Sequence, residues 1–457
     1  MKDSWVMGNS RKQTSNDLAG RVSARLSRVA PHGARLRLGL SGGRDSVALF
    51  SILADFAPRL GYSLECVHVH HGISPCADQW ADFCAGLCRA RKIKLDIIRV
   101  DLGRFQSSGL EASARLARYG VLFRPGADFV VLAHHQRDQA ETILLQLFRG
   151  SGVKGLSAMP ESGAGNGMPI LRPMLDEPFS EIDAYVRAHR LAWVSDESNE
   201  DTHFPRNFIR HQVLPVLEAR FPGVTRAMAR SASHAAEAQK LLDDLATLDL
   251  AVLQREGGLA IAPLRELTDV RAKNVLRFYF SKHGLELPQS VYLEEVFRQL
   301  KTVRSDAKVE FNLGRMVGRC HKGVLMLEPP TCVPGPSTGY RWHGEAVWNL
   351  PELGGVLTFL PASGAGFNAN KLESGPLTVR LRRGGERMQL EASRPKRSLK
   401  NLLQEAGIPF WRRQRLPMVY LGDELVFVPG VGLALACRAN PGEPGVLLEW
   451  TESVFTG

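Results

Sequence analysis

No apolar stretch in this 457-residue chain approaches the roughly 18–20 residues that a membrane-spanning helix needs, so no transmembrane segment and no membrane partner are predicted. The first sixteen residues mix charge, Ser, Asn and Gln and contain no apolar h-region, which argues against a signal peptide. A frayed start and a cytoplasmic location are the expectation. Cysteine is sparse: seven residues, odd in number and scattered, fit reduced thiols rather than a disulfide framework. Cys84 and Cys88 form CxxxC on an expected helix with no second pair nearby, a structural pattern rather than a metal one. No fixed-period repeat and no low-complexity tract is present. What is there, 44% hydrophobic and 23% charged residues, is the composition of a globular protein with room for two or three domains.

The formal net charge of +11 points to a polyanionic partner. Its distribution says more than its size. Between Arg380 and Arg415 there are eleven Lys/Arg against three Asp/Glu, interleaved with Leu399, Leu402, Leu403, Phe410 and Trp411. Such interleaving predicts a folded basic surface rather than a disordered tail.

From about 33 to 220 the pattern alternates. Residues 35–40, 64–70, 95–100 and 129–133 read as strands, and 47–57, 78–91, 110–122 and 139–148 as helices. Short apolar strands between amphipathic helices predict an α/β domain, a parallel, Rossmann-like sheet covered on both faces. Residues 1–32 precede it as a flexible segment. Residues 221–328 turn Ala/Leu-rich and read as a helical middle domain. A Pro, Gly, Ser and Thr-rich stretch, 329–339, reads as a linker, and 340–457 as a small, basic α+β C-terminal domain.

Residues 41–46, Ser-Gly-Gly-Arg-Asp-Ser, lie between the first strand and the first helix of that pattern. Gly42 and Gly43 let the backbone approach an oxygen-rich anion with no Cβ in the way. Ser46 and the amides opening the helix point donors at it, helped by the helix dipole. The spacing and Lys of GxxxxGK[ST] are missing, which argues against ordinary γ-phosphate transfer. The run resembles the PP-loop of N-type ATP pyrophosphatases, SGGxDS, which implies ATP cleavage between the α and β phosphates. A glycine-rich turn of a dinucleotide fold is the alternative.

The second signal is Leu132-Ala-His-His-Gln-Arg-Asp-Gln-Ala-Glu-Thr142. With a helix starting near His135, Asp138 and Glu141 fall at i and i+3 on one face, and His134 lies at the strand–helix junction. Such a pair can hold an ammonium, orient an amine or ligate Mg²⁺, or simply complement the helix dipole. His68, His70 and His71 in HVHHG lack the Cys or carboxylate spacing of a zinc site, so a strand-end turn flooring a nucleotide pocket is preferred. Glu111 and Arg115 are i,i+4, either a surface ion pair or an arginine reaching phosphate. Residues 161–168, with three glycines and an Asn, read as mobile. The acidic stretch 193–201 leads into Arg206 and Arg210, which serve the active site, the RNA backbone or helix capping.

Taken together and in order, SGGRDS, HVHHGIS, GLEASARLARYG, LAHHQRDQAET, FRGSGVKGL, RPML and the W-x₂-D-x-SN-x-D-x₂-F-x-RN-x-IR stretch resemble the tRNA(Ile)-lysidine synthase family. So do LRRGGERM and SLKNLLQEAGIPFWRRQRLP near the end. The resemblance implies adenylation of cytidine 34 in the CAU anticodon of tRNA(Ile), then attack by free L-lysine to give lysidine. ATP is a co-substrate and Mg²⁺ a cofactor, and a homodimer is compatible. It implies that Ser41, Gly42, Gly43, Arg44, Asp45, Ser46 and His70 bind the nucleotide, with Asp45 near Mg²⁺. Asp138 and Glu141 would hold lysine, while His134, Arg115 and Arg206 stabilise charge around the α-phosphate and base. Arg383, Arg397, Lys400, Arg412 and Arg413 would meet tRNA phosphates, and the middle domain would also touch tRNA.

One position departs. The family usually carries two consecutive Asp in HHxDDQAET, and here the first is Arg137. Either a carboxylate useful to Mg²⁺ or lysine is lost, or Arg137 points outward, rotated about 100° from Asp138. Two rivals differ in class. A thiolase-like PP-loop enzyme commonly needs a catalytic Cys or a cluster-binding CxxC set, absent here. A catalytically degenerate tRNA-binding protein sits poorly with the retained SGGRDS, Asp138 and Glu141.

Overall fold

The computed structural model describes residues 17–72, 74–101, 110–165, 167–285, 290–302, 309–330, 340–372 and 374–452. They fall into two compact units divided between Leu245 and Ala246.

The first unit is built on a six-stranded sheet. Its strands are β1 (Arg35–Gly39), β2 (Ser63–His70), β3 (Lys94–Arg99), β4 (Phe129–Val131), β5 (Ser162–Gly165) and β6 (Met168–Leu171), in the order β3-β2-β1-β4-β6-β5. All neighbours run parallel except the β5–β6 hairpin. That hairpin occupies most of 161–168, so the stretch read as mobile folds as an edge ribbon. The helices are α1 (Leu18–Val29), α2 (Arg44–Phe56), α3 (Ala77–Ala90), α4 (Leu110–Leu122), α5 (Gln136–Phe148), α6 (Val153–Leu156), α7 (Phe179–Ala188) and α8 (Pro205–Phe208).

Strand β1 reads Arg-Leu-Arg-Leu-Gly, an alternation that suggests one wet face. Yet Arg37 is buried, satisfied by Glu65 Oε1 at 2.6 Å and by the carbonyls of Leu122, Arg124 and Pro125. Both faces are therefore covered, as a parallel sheet requires. Helix α2 is buried without a break from Ser46 to Leu53, packed with Leu36, Leu38, α1 and α7 in one core. The chain leaves β1 toward β2 and β3 on one side and returns to β4 on the other. The switch point of the sheet thus lies between the carboxyl ends of β1 and β4, where ligands of such folds bind.

Glu177 braces this end. Its carboxylate accepts from Arg21 and Arg25 of α1, and its carbonyl accepts from Gln136 N at the start of α5 at 3.1 Å.

The helix Val224–Leu253 carries the chain onward. Within the second unit, the region read as purely helical also contains an antiparallel sheet. Its strands are Gln254–Arg255, Gly258–Ala260, Val324–Glu328, Val317–His321 and Glu310–Asn312, in that spatial order. The helices Asp269–Lys282 and Ser290–Thr302 pack on it through Leu276, Phe280, Val296 and Phe297. Further on, a five-stranded and a four-stranded antiparallel sheet share a core of Leu350, Leu357, Phe367, Val379, Val419 and Val426. Residues 331–339, most of the expected linker, and 1–16 lie outside the described residues, while the rest of the segment read as flexible, 17–32, contains α1, whose Leu18, Val22 and Leu26 are buried in the core of the first unit. Among the described residues no helix is long and apolar enough to cross a membrane.

Candidate active site

Leu40 follows β1 and the chain turns through Ser41, Gly42 and Gly43 into α2. Gly42 sits at φ +87°, and a Cβ there would lie 2.8 Å from Val194 Cγ2 and 3.2 Å from Cys84 Sγ. Only glycine fits this turn. Its carbonyl accepts from Val194 N at 3.0 Å, strapping residues 193–196 to the loop. Ser46 Oγ donates to Gly43 O at 2.9 Å and lies 3.0 Å from Ser41 Oγ, closing the turn on itself. Gly43 is the N-cap of α2 and supplies no side-chain cap, so the first amides of the helix remain available to an anion. Arg44 turns away from the loop: its guanidinium pairs with Asp183 at 2.9 Å and stacks between Phe179 and Trp193. What Arg44 offers an anion is its backbone amide. His68 Nδ1 meets Leu40 O at 2.9 Å, and His70 Nε2 meets Asp78 Oδ1 at 3.1 Å, so both buried rings brace the strand ends beneath the loop.

Across the switch point, β4 leads through Leu132–His135 into α5. His135 is its N-cap, accepting from Arg137 N at 3.1 Å, while Asp138 Oδ2 accepts from His135 N at 2.9 Å, a reciprocal capping box. The capping reading of Asp138 holds for Oδ2, which leaves Oδ1 to other partners. Its Oδ1 accepts from Arg206 at 3.1 Å and Arg210 at 3.3 Å. Glu141, with no exposure at all, accepts from Arg206 Nε at 2.7 Å and from Arg210 Nε and Nη2 at 2.6 and 2.9 Å. The i,i+3 carboxylates thus face one pair of guanidiniums.

Arg206 comes from α8 and Arg210 from the π-helical turn Ile209–Val213. Asn207 pins the preceding loop by donating to Ser198 O and Asp201 O, and Asp196 caps it through Ser198 N. The sequence leaves Arg210 between active site, RNA backbone and helix capping; its i,i+4 spacing from Arg206 is the signal that the two share one partner.

The loop and the cluster meet at His135. Its Nε2 lies 3.5 Å from Asp45 Oδ2 and 3.6 Å from Asp138 Oδ2. Asp45 Oδ1 is buried and has no hydrogen-bond partner among the described residues. Burial opposes a charge on His135, but Asp138, Asp45 and Glu141 outweigh it and raise its pKa. Burial also pushes Asp138 toward its neutral form, and His135, His134, Arg206 and Arg210 reverse this, holding it well below the usual carboxylate range. His134 goes the other way: burial pushes it down to about 3, against the pull of Asp138, so it is neutral at physiological pH.

The comparisons follow this layout. Residues 17–217 match the family model of the PP-loop domain, 259–326 that of the TilS substrate binding domain and 377–450 that of the TilS substrate C-terminal domain. A tRNA(Ile)-lysidine synthase of Nitrosomonas europaea is 40% identical over 98% of this chain and 98% of its own. That of Azoarcus sp. (strain BH72) is 41% identical over 95% and 96%. The chain belongs to the tRNA(Ile)-lysidine synthase family. It is therefore an enzyme of the ligase class.

At Arg137, where the sequence reading of this tRNA(Ile)-lysidine synthase family member expects an Asp, the outward orientation is not what is found. Arg137 is half-buried, donates to Arg210 O at 2.6 Å and lies over the Phe179 ring. Burial lowers its pKa, with Glu141, Asp138 and Asp45 opposing. It grips the π-helical turn that aims Arg210. Arg115 lies on α4, and its side chain is outside the described residues.

Of the residues read as tRNA contacts, Arg383 and Lys400 are exposed. Arg397 is paired bidentately with Glu405, and Arg413 Nε donates to Ile408 O. Arg412, with Trp411 Nε1, binds the buried Glu328, holding its helix to the strand Val324–Glu328.

Proposed function

We propose that this protein ligates lysine to C2 of cytidine 34 in the CAU anticodon of an isoleucine tRNA, consuming ATP and yielding lysidine, AMP and pyrophosphate. One observation carries the reading: His135 Nε2 lies 3.5 Å from Asp45, on a turn suited to phosphates, and 3.6 Å from Asp138, in a carboxylate pair suited to an amine. The full-length likeness to synthases of that name supports it.

In the first step O2 of the cytidine attacks the α-phosphorus, the Pα–O–Pβ bond breaks and pyrophosphate leaves. The amides opening α2 and the Ser41–Ser46 turn hold the phosphates. Asp45 fits a cation ligand, because its buried Oδ1 lacks a partner among the described residues. It would hold Mg²⁺, which when bound supplies charge neutralisation at the phosphates.

In the second step the ε-ammonium of lysine gives one proton to solvent, the resulting amine attacks C2, the C2–O2 bond breaks and AMP leaves with the electron pair. Adenylation turns a very poor leaving group into a phosphate ester. Asp138 and Glu141 position the amine. Asp138, held below the ordinary carboxylate range, is a poor proton acceptor, so its role is orientation. Lysine entering there shares or displaces Arg206 and Arg210, freeing these guanidiniums for the phosphate. Neutral His134 contributes a hydrogen bond rather than a charge. Exposed Arg383 and Lys400 would meet tRNA phosphates, giving register rather than base reading.

The test omits lysine. With α-labelled ATP and a CAU transcript, label should pass to the RNA, and added lysine should chase it into free AMP. No transfer to RNA, or transfer that survives replacement of cytidine 34, would refute the adenylated intermediate.

A further inference from the structure

We infer that Arg172 is a positioning residue for this reaction: by donating to Nδ1 of His134 it fixes that imidazole as the Nε2–H tautomer, a hydrogen-bond donor rather than a proton carrier. The inference rests on the role proposed above for His134.

The placement follows from the sheet. Strand β6 pairs with β4 in parallel, Val131 opposite Leu171, and Leu132 N donates to Leu171 O at 2.9 Å. Arg172, the next residue, therefore lies alongside the chain that runs from β4 to His134. It is only 5% exposed and held by several contacts. Its backbone amide donates to Glu161 O at 2.8 Å and its Nη1 to Pro160 O at 2.8 Å. Its Nε lies 3.2 Å from His134 Nδ1.

A guanidinium offers donors only. Nδ1 must then present its lone pair, and the single ring proton of the neutral imidazole resides on Nε2. Protonating Nδ1 would set two N–H groups against each other in a part-buried place. The surroundings act in the same sense. Asp138 of α5 favours the cation, while Arg172, Arg206 of α8 and Arg118 of α4 oppose it. Burial is the largest influence, and the outcome is a ring neutral at every pH at which the enzyme would work.

The adjacent residue shows that this is specific. His135 also accepts at Nδ1, from Arg137 N, but its Nε2 faces Asp45 and Asp138, and its pKa is raised instead. The His-His dipeptide is thus divided into two functions by what lies beyond each ring. His134 becomes a constant donor from Nε2, suited to an oxygen that gains charge as AMP departs.

The experiment reads the ring directly. Full-length protein labelled with ¹⁵N-histidine is compared with an identically labelled His134→Gln variant to assign the resonance, and titrated from pH 5 to 8. We expect an unprotonated Nδ1, a protonated Nε2 and no titration. In Arg172→Met the ring should exchange between tautomers and titrate nearer the ordinary histidine range. Lysidine formation should then fall on the order of 100-fold at pH 8, where the neutral ring can lose its Nε2 proton to Nδ1, with a smaller loss at pH 6, where the imidazolium keeps a proton on Nε2. Arg172→Lys, which keeps a cationic donor, should restore the tautomer and much of the rate. A wild-type His134 that titrates or carries its proton on Nδ1 overturns the inference, even if Arg172→Met fails to fold. So does an Arg172→Met ring indistinguishable from wild type. The resonance is read without turnover, so a wrong tautomer is distinguishable from a wrong reaction. A His134→Gln enzyme of full rate would remove the role of the ring in the reaction.

Discussion

Arg210→Met removes one of two guanidiniums from a pair of buried carboxylates. Arg210 makes two bonds to Glu141, at 2.6 and 2.9 Å, and one to Asp138 at 3.3 Å. Methionine fills similar volume but leaves Arg206 alone against two negative charges, one of them on a fully buried side chain. Breaking a buried pair from one side costs about 3–5 kcal/mol. Because Arg206 still bonds both carboxylates, we take the lower end, about 3 kcal/mol. For a domain of this size each kcal/mol moves Tm by about 2–4 °C, so the first unit should melt roughly 6–12 °C lower. Differential scanning calorimetry of the full chain would show it, with the second unit's transition unmoved.

The pH dependence has a defined sign. Asp138 is depressed in the folded protein, so its pairing stabilises above the ordinary carboxylate pKa and is lost as pH falls through the depressed value. Removing Arg210 lessens the depression, so the gap between variant and wild type should narrow as pH falls through the variant's carboxylate pKa. Free lysine should raise the variant's Tm more than that of wild type, because an ammonium then finds an unpaired carboxylate. A loss under 2 °C, or a gap that widens in acid, would refute the reasoning.

Gly42→Ala places a Cβ 2.8 Å from Val194 Cγ2 at a positive φ; we expect a loss of about 1–3 kcal/mol and a nucleotide-binding defect, measured by ATP titration. Arg137→Asp breaks the bond to Arg210 O and adds a carboxylate near three others. It should lower both stability and lysidine formation, and an activity gain in the same assay would mean that the family's usual residue works better here. Glu328→Ala strips the shared acceptor from Trp411 and Arg412; the second unit should lose about 3 kcal/mol, read as a shift of its melting transition alone.

What the sequence discloses is what is local. The β1 turn into α2 and the i,i+3 spacing of Asp138 and Glu141 depend on neighbours along the chain, and both are found as read. The partners of those carboxylates are not local: Arg210 is 69 residues from Glu141 and reaches it from a π-helical turn that no periodicity announces. Charge counting fails for the same reason. Arg412 reads as a free cation in a basic run, yet its acceptor Glu328 lies 84 residues earlier. Arg397 is taken by Glu405 eight residues on. The second unit's first sheet escapes notice because its strands are two to five residues long, too short for alternation to separate them from turns. The helix angle of Arg137 suggests an outward side chain, but the carbonyl it bonds belongs to another element.

The most direct test of the account is incorporation of labelled lysine into an isoleucine tRNA transcript with a CAU anticodon, in the presence of ATP and Mg²⁺. The account predicts one lysine per tRNA, with one AMP and one pyrophosphate released, and none when cytidine 34 is replaced. No incorporation, or incorporation indifferent to that cytidine, would contradict it.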